Sequence, residues 1–151
     1  MKQIIKEYQK PDQKKIIYAD DNIIPAMANK KYIQSNIDGV TVDIVGNGND
    51  LVEKVKNGKY VLIVTDNNMP YLTGLEAIQE IRKFDKEIPI IMISGDISGN
   101  ISSDVSSIKD KALKAGANDY LKKPFERREL TSAIQRLYKG AWKNRTKLPR
   151  N

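Results

Sequence analysis

The sequence predicts an α/β domain built on a doubly wound parallel sheet of five strands. Three observations carry that prediction. Apolar, β-rich runs alternate with helical patterns five times in succession. Several of the strand runs are apolar throughout, as strands covered on both faces are. A helical pattern stands between each pair of strand runs, which is the crossover that parallel neighbours need.

Lys15 to Ala19 predicts the first strand, and Ile23 to Ser35 the first helix. That helix carries Ile23, Ile24, Met27 and Ala28 at helical spacing, with Pro25 in the first turn, where proline is tolerated. Val40 to Val45 alternates as the second strand. Leu51, Val52 and Val55 mark one face of the second helix, which ends near Asn57-Gly58. Tyr60 to Thr65 is the third strand, and Leu75, Ile78 and Ile81 mark a third helix that ends before Pro89. Ile90 to Ile93 is the fourth strand. Gly95 to Ser107, rich in Ser, Gly and Asp, predicts a long loop or a frayed helix start. Ile108, Ala112 and Leu113 place a fourth helix, stopped by Gly116, before a short fifth strand over Asn118 to Lys122. Leu130, Ile134 and Leu137 mark the last helix. The organisation expected is an N-terminal extension over 1–13, a domain over 14–138 and a basic C-terminal tail over 139–151.

The chain has 151 residues, no histidine and no cysteine. Its own residues therefore supply no Ser-His-Asp or Cys-His catalysis, no thiol redox centre and no disulfide. Carboxylate, hydroxyl, amide and amine chemistry remain. No apolar stretch approaches the roughly 20 residues of a membrane span, and the N-terminus has no signal-peptide pattern. A cytoplasmic protein is expected. The net charge of +7 is concentrated at the ends, with five Lys and two acids over 1–15 and five Lys or Arg and no acid over 138–151. The stretch between is nearly neutral. Such a tail can attract a polyanion weakly, but with one aromatic, Trp142, it lacks a stacking pattern and fits a solvated end better.

In doubly wound sheets, function gathers at the carboxyl ends of the strands. The first strand ends in Asp20-Asp21, the third in Asp66 and the fourth in Ser94; Lys123-Pro124 follows the fifth. Taken singly, each has a plain structural use, as a cap, a turn former or a surface lysine. Together they predict three carboxylates at one edge, which repel and call for a cation. Oxygen ligands suit Mg²⁺, which keeps waters and leaves room for a phosphoryl group. A lysine and a hydroxyl complete a site able to carry phosphate on a carboxylate.

The segments IIYADDN, VTDNNMPYLTGLEAI, IPIIMISGD and AGANDYLKKPF together resemble the receiver domain of two-component response regulators, over roughly residues 14–138. The resemblance implies a flavodoxin-like (βα)5 fold with strand order 2-1-3-4-5, the order that the general rule for such sheets gives for a member of this family. It implies Asp66 as phosphoacceptor and Mg²⁺ held by Asp20, Asp21, Asp66 and the backbone carbonyl of Asn68. Lys123 would pair with the phosphoryl oxygens, across a cis bond to Pro124. Ser94 would hydrogen-bond the incoming group, and Tyr120 would change rotamer in response. The implied partners are a histidine kinase or histidine phosphotransfer protein and a downstream protein target. The implied role is a phosphoacceptor that assists its own phosphotransfer and dephosphorylation, rather than an enzyme.

The chain departs from the family pattern in extra length within Gly95–Asp110, in Gly95 itself, which leaves the site open to a donor, and in the extra acid Asp96. Other readings fit less well. An aspartyl phosphatase would need an acid two residues after Asp66, where Asn68 stands. A flavodoxin-type cofactor site would place phosphate where Asp20 and Asp21 repel it. An unswitched interaction module with a polyanion-binding tail, or a receiver belonging to a hybrid kinase, are the remaining alternatives. The initiating Met1 and the short tail favour a stand-alone protein whose output is protein contact.

Overall fold

The computed structural model describes residues 13–95 and 107–146, with side chains as far as 138. Its elements alternate in chain order: β1 (Lys14–Ala19), α1 (Ile23–Asn36), β2 (Val40–Val45), α2 (Gly48–Asn57), β3 (Tyr60–Asp66), α3 (Gly74–Arg82), β4 (Ile90–Gly95), α4 (Ile108–Ala115), β5 (Asp119–Lys123) and α5 (Arg127–Thr146). All five strands pair in parallel, in the order β2-β1-β3-β4-β5. The winding direction reverses between β1 and β3, so the crevice of the sheet opens at their carboxyl ends.

The uniformly apolar strands are explained by two cores. Along β1, Ile16 and Tyr18 face one side of the sheet, with Leu62 and Val64 of β3, Ala26 and Ile33 of α1, and Leu130 and Ile134 of α5. Ile17 and Ala19 face the other, with Ile63, Met92, Leu51 of α2, Ile78 and Ile81 of α3, and Ala112 of α4. Both strand faces are consumed, and β1 and β3 are buried at nearly every position beyond their first residues. Among the described residues, no helix is long and apolar enough to cross a membrane.

Four expectations are adjusted. The apolar residues Ile23, Ile24 and Met27 do not form the core face of α1; they are 54%, 76% and 59% exposed, and the buried face is Ala26, Asn29 and Ile33. Apolar spacing alone did not reveal this, because the two sets are offset on the same helix. β3 and β5 run to Asp66 and Lys123 and β4 runs through Ser94 to Gly95, so Asp66, Ser94 and Lys123 are strand residues, and β5 is set one residue later than Asn118 to Lys122. The last helix continues past 138 to Thr146, as the absence of proline between Pro124 and Pro149 permits. Of the expected loop over Gly95–Ser107, Gly95 closes β4 and the Ser107 side chain caps α4 by accepting from Asp110 N, while 96–106, with Asp96, lie outside the described residues.

Arg82 at the end of α3 ties the two halves of the sheet's second face together. Its guanidinium donates to Gly116 O through Nε at 3.1 Å and Nη2 at 2.8 Å, and to Asp85 O through Nη1 at 3.1 Å. Nη2 also reaches Asn118 Oδ1, which accepts from Ile90 N at 2.9 Å. Gly116 ends α4 in the left-handed region at φ 117, where a side chain would also strike Arg82. Burial lowers the Arg82 pKa, with Asp85 opposing. Arg82→Ala is expected to cost about 2 kcal/mol, the worth of charge-assisted bonds to otherwise unpaired carbonyls. Urea unfolding checks this, and a loss below about 0.5 kcal/mol, the level of an ordinary surface substitution, would show that the clamp is not needed.

Candidate functional site

Register brings the site together. Ala19 pairs with Thr65, so the next residues, Asp20 and Asp66, leave adjacent strands side by side. Gly95 pairs with Lys123, which places the lysine at the same edge. Asp20 and Asp66 are each only 4% exposed. Lys123 Nζ lies 2.5 Å from Asp66 Oδ2, and the Lys123–Pro124 bond is cis.

Each acid is also held by the backbone that follows it. Asp20 Oδ1 accepts from Asn22 N at 2.9 Å, and Asp66 Oδ1 from Asn68 N at 3.1 Å. The turn after Asp66 is fixed further on. Asn67 O accepts from Gly74 N at 2.9 Å, and Asn67 Oδ1 from Leu75 N at 3.0 Å. Thr73 and Glu76 close a capping box on α3. Gly74 is required by proximity, since a Cβ there would sit 2.3 Å from Asp66 O. The run from Asp66 to Gly74 is therefore a rigid support for one carboxylate.

The structure brings some predicted residues closer than others. Asp20, Asp66 and Lys123 form one cluster, whereas Asp21 is exposed. The expected crowd of three carboxylates is thus a buried pair with a third at the rim, and among the described residues no three acids, histidines or cysteines converge as a ready metal cage. Ser94 is buried and donates to Gly95 O at 3.1 Å. Tyr120 is half-buried against the core on the α4 side. Neither bonds the carboxylates among the described residues.

Burial pushes the Asp20 carboxyl up; the Asn22 hydrogen bond opposes this, the Asp66 charge adds to it and Lys123 opposes it. The pair therefore carries negative charge that Lys123 does not fully offset. That environment and its all-oxygen donors fit Mg²⁺, which binds through one or two carboxylates and keeps several waters.

Sequence reasoning passed over Tyr18 and Asn29. Asn29 Nδ2 donates to Tyr18 Oη at 2.9 Å inside the core beside the acids. Burial raises the phenol pKa, the Asn29 bond opposes this, and the charges of Asp20 and Asp66 add to it. A polar residue on the buried face of α1 was the only signal. Tyr18 and Asn29 line an open groove of about 1010 Å³ between α1 and the turn after β5, together with Asp20, Tyr32, Lys123 and Phe125.

A five-stranded parallel sheet of this order, with buried acids and a lysine after a reversal in winding, defines a class of signalling domain, and comparison with known proteins agrees. The response regulator receiver domain family matches residues 16–135, and the chain belongs to that family. It is 32% identical over 127 residues to hybrid signal transduction histidine kinase K of Dictyostelium discoideum, covering 80% of this chain and 10% of that protein. The receiver domain of Francisella response regulator 1452 superposes with a TM-score of 0.72 at 31% identity, over 84% of this chain and 98% of that one. The receiver domain of sensor histidine kinase PA1611 from Pseudomonas aeruginosa PAO1 has magnesium coordinated in its active-site cleft. It superposes with a TM-score of 0.68 at 28% identity, over 83% of this chain and 98% of that one. The chain spans from 10% to 51% of the length of the first curated relatives it matches.

The charge pattern makes a stability prediction. An acid whose folded pKa is raised holds an extra proton in the native state above about pH 4, so stability falls as pH rises through the folded pKa and stays lower at neutrality. Asp20→Asn should raise the melting temperature by a few degrees at neutral pH without metal, and should flatten that pH dependence. In the unaltered chain, Mg²⁺ at a hundredfold excess over its Kd should add about 2.7 kcal/mol of stability, reversed by chelator. Thermal melts across pH, with and without Mg²⁺, check both effects.

Proposed function

We propose that the chain is a phosphorylation-controlled receiver that takes a phosphoryl group from a phosphohistidine on a histidine kinase or histidine phosphotransfer partner onto Asp66. The observation that carries this reading is the buried Asp66 carboxylate with Lys123 Nζ at 2.5 Å, at the open edge of the sheet. In the transfer, the bond from phosphorus to the partner's imidazole nitrogen breaks and a bond to an Asp66 oxygen forms. The acceptor needs no general base, since an ionised carboxylate attacks directly. The protein's work is to position and to neutralise.

Asp20, Asp21, Asp66 and the Asn68 carbonyl would hold Mg²⁺, which offsets charge on the transferring group. Lys123 exchanges its bond to Asp66 for one to a phosphoryl oxygen. Ser94 reorients its hydroxyl from Gly95 O toward the new group, and Tyr120, half-buried against the core on the α4 side, follows the movement of that loop. A changed surface around α4, β5 and α5 then contacts a downstream protein. Moving such a balance from mostly off to mostly on takes about 5.5 kcal/mol of differential stabilisation.

Two features support a protein donor. Ile23, Ile24 and Met27 expose apolar side chains where α1 leaves the Asp20-Asp21 corner. Gly95 ends β4 next to Ser94 and opposite Lys123, and a Cβ there would meet nothing within 4 Å among the described residues, so the missing side chain leaves this edge open to a donor.

Incubation with Mg²⁺ and a small-molecule phosphodonor such as an acyl phosphate, followed by intact mass measurement, tests the acceptor. One phosphoryl addition is expected, absent in Asp66→Asn and absent with chelator. No addition in the unaltered chain, or equal addition in Asp66→Asn, would sink the assignment.

A further inference from the structure

Tyr71 stands in the run between the acceptor and α3 and is the only non-glycine residue at positive φ among the described residues, at φ 69. Residues with a side chain rarely adopt that region, and glycine or asparagine would occupy it with less strain. The strain is imposed from both sides. Met69 is buried, Asn67 is fastened to Gly74 and Leu75, and the Leu72 backbone lies so close to Gly48 of α2 that a Cβ on that glycine would be 2.4 Å from Leu72 O. The backbone is thus held on both sides of position 71.

Among the described residues, the tyrosine makes no hydrogen bond or ion pair that would offset this. Its side chain is 82% exposed, more than Ile24 at 76%. A strained residue that persists without such a bond points to a use outside the fold. A tyrosine held on rigid backbone suits a protein contact, because it offers a large amphipathic surface with little entropy to lose on binding.

We propose that Tyr71 is a specificity contact for the phosphohistidine protein that serves Asp66. This rests on the reading of Asp66 as acceptor. The occupant is the donor rather than a downstream target because the ring is carried on the acceptor's own loop. A protein bringing an imidazole to Asp66 descends on this edge, and the exposed apolar side chains of α1 leave the same edge from the Asp20-Asp21 corner. Tyr71 is a positioning residue for the partner and takes no part in the chemistry.

The test compares donors. The phosphorylated histidine kinases and phosphotransfer proteins of the source organism are profiled against the unaltered chain, and the fastest is the probe. Tyr71→Asn, which suits the left-handed backbone, is expected to keep or raise the melting temperature. It should lower kcat/KM for transfer from that probe about tenfold, the size of effect that truncating an interface anchor gives, mainly through KM. Phosphorylation by the acyl phosphate should be unchanged, and Tyr71→Phe should retain most of the protein transfer. Unchanged transfer from the probe would overturn the proposal, as would equal slowing with both donors. So would a chain that the acyl phosphate phosphorylates but no phosphohistidine protein does. A chain inert to the acyl phosphate as well would overturn the acceptor reading beneath it.

Discussion

Two buried carboxylates, Asp20 and Asp66, sit side by side at the mouth of the sheet, and Lys123 comes across from β5 to meet one of them. Burying like charges together is costly, and a fold that served stability alone would not keep them there. Much of the surrounding structure reads as what is needed to hold this arrangement. The parallel register sets Asp20 beside Asp66. The Asn67 bonds and the close approach of Gly74 fix the turn that follows. Asn22 N and Asn68 N each give a carboxylate a donor. The charge left over is what makes the site receptive to a divalent cation and a phosphoryl group.

The sheet and most of its elements were legible because strands buried on both faces write themselves as apolar runs, and the five polar or charged residues at strand ends interrupt those runs at matching positions. Asp66, Ser94 and Lys123 could be named from the sequence for that reason. What was not legible depends on three-dimensional offset. The apolar residues at the start of α1 look like a core stripe in sequence, yet they lie beside the stripe that Ala26, Asn29 and Ile33 bury. Asn29 looked unremarkable because nothing in its neighbourhood announces Tyr18 as its partner. Asp21 was grouped with Asp20 by adjacency, but consecutive residues leaving a strand diverge, and one is buried while the other meets solvent.

The same contrast separates what stabilises from what is available for use. Arg82, Gly116 and Asn118 are linked by hydrogen bonds at the amino ends of β4 and β5, where these polar groups serve the fold. Around the acids, several features are left unspent. Ile24 and Tyr71 are exposed, the groove beside Lys123 is open, and among the described residues the Ser94 hydroxyl bonds only its neighbour's carbonyl. Exposed apolar surface and strained backbone concentrate at the edge where a partner would have to arrive.

The account turns on Lys123 giving up Asp66 when a phosphoryl group arrives. Beryllofluoride with Mg²⁺, which mimics the acyl phosphate on a carboxylate, allows this to be followed by NMR. The side-chain ammonium of Lys123 and the backbone amides of Asp20, Asp21, Asp66, Asn68, Ser94 and Tyr120 are the probes. The prediction is saturable binding that moves all of these signals together, with the Lys123 ammonium shifting from its carboxylate-bound position to a fluoride-bound one. Binding that leaves Lys123 unmoved, or no binding at all, would contradict the account.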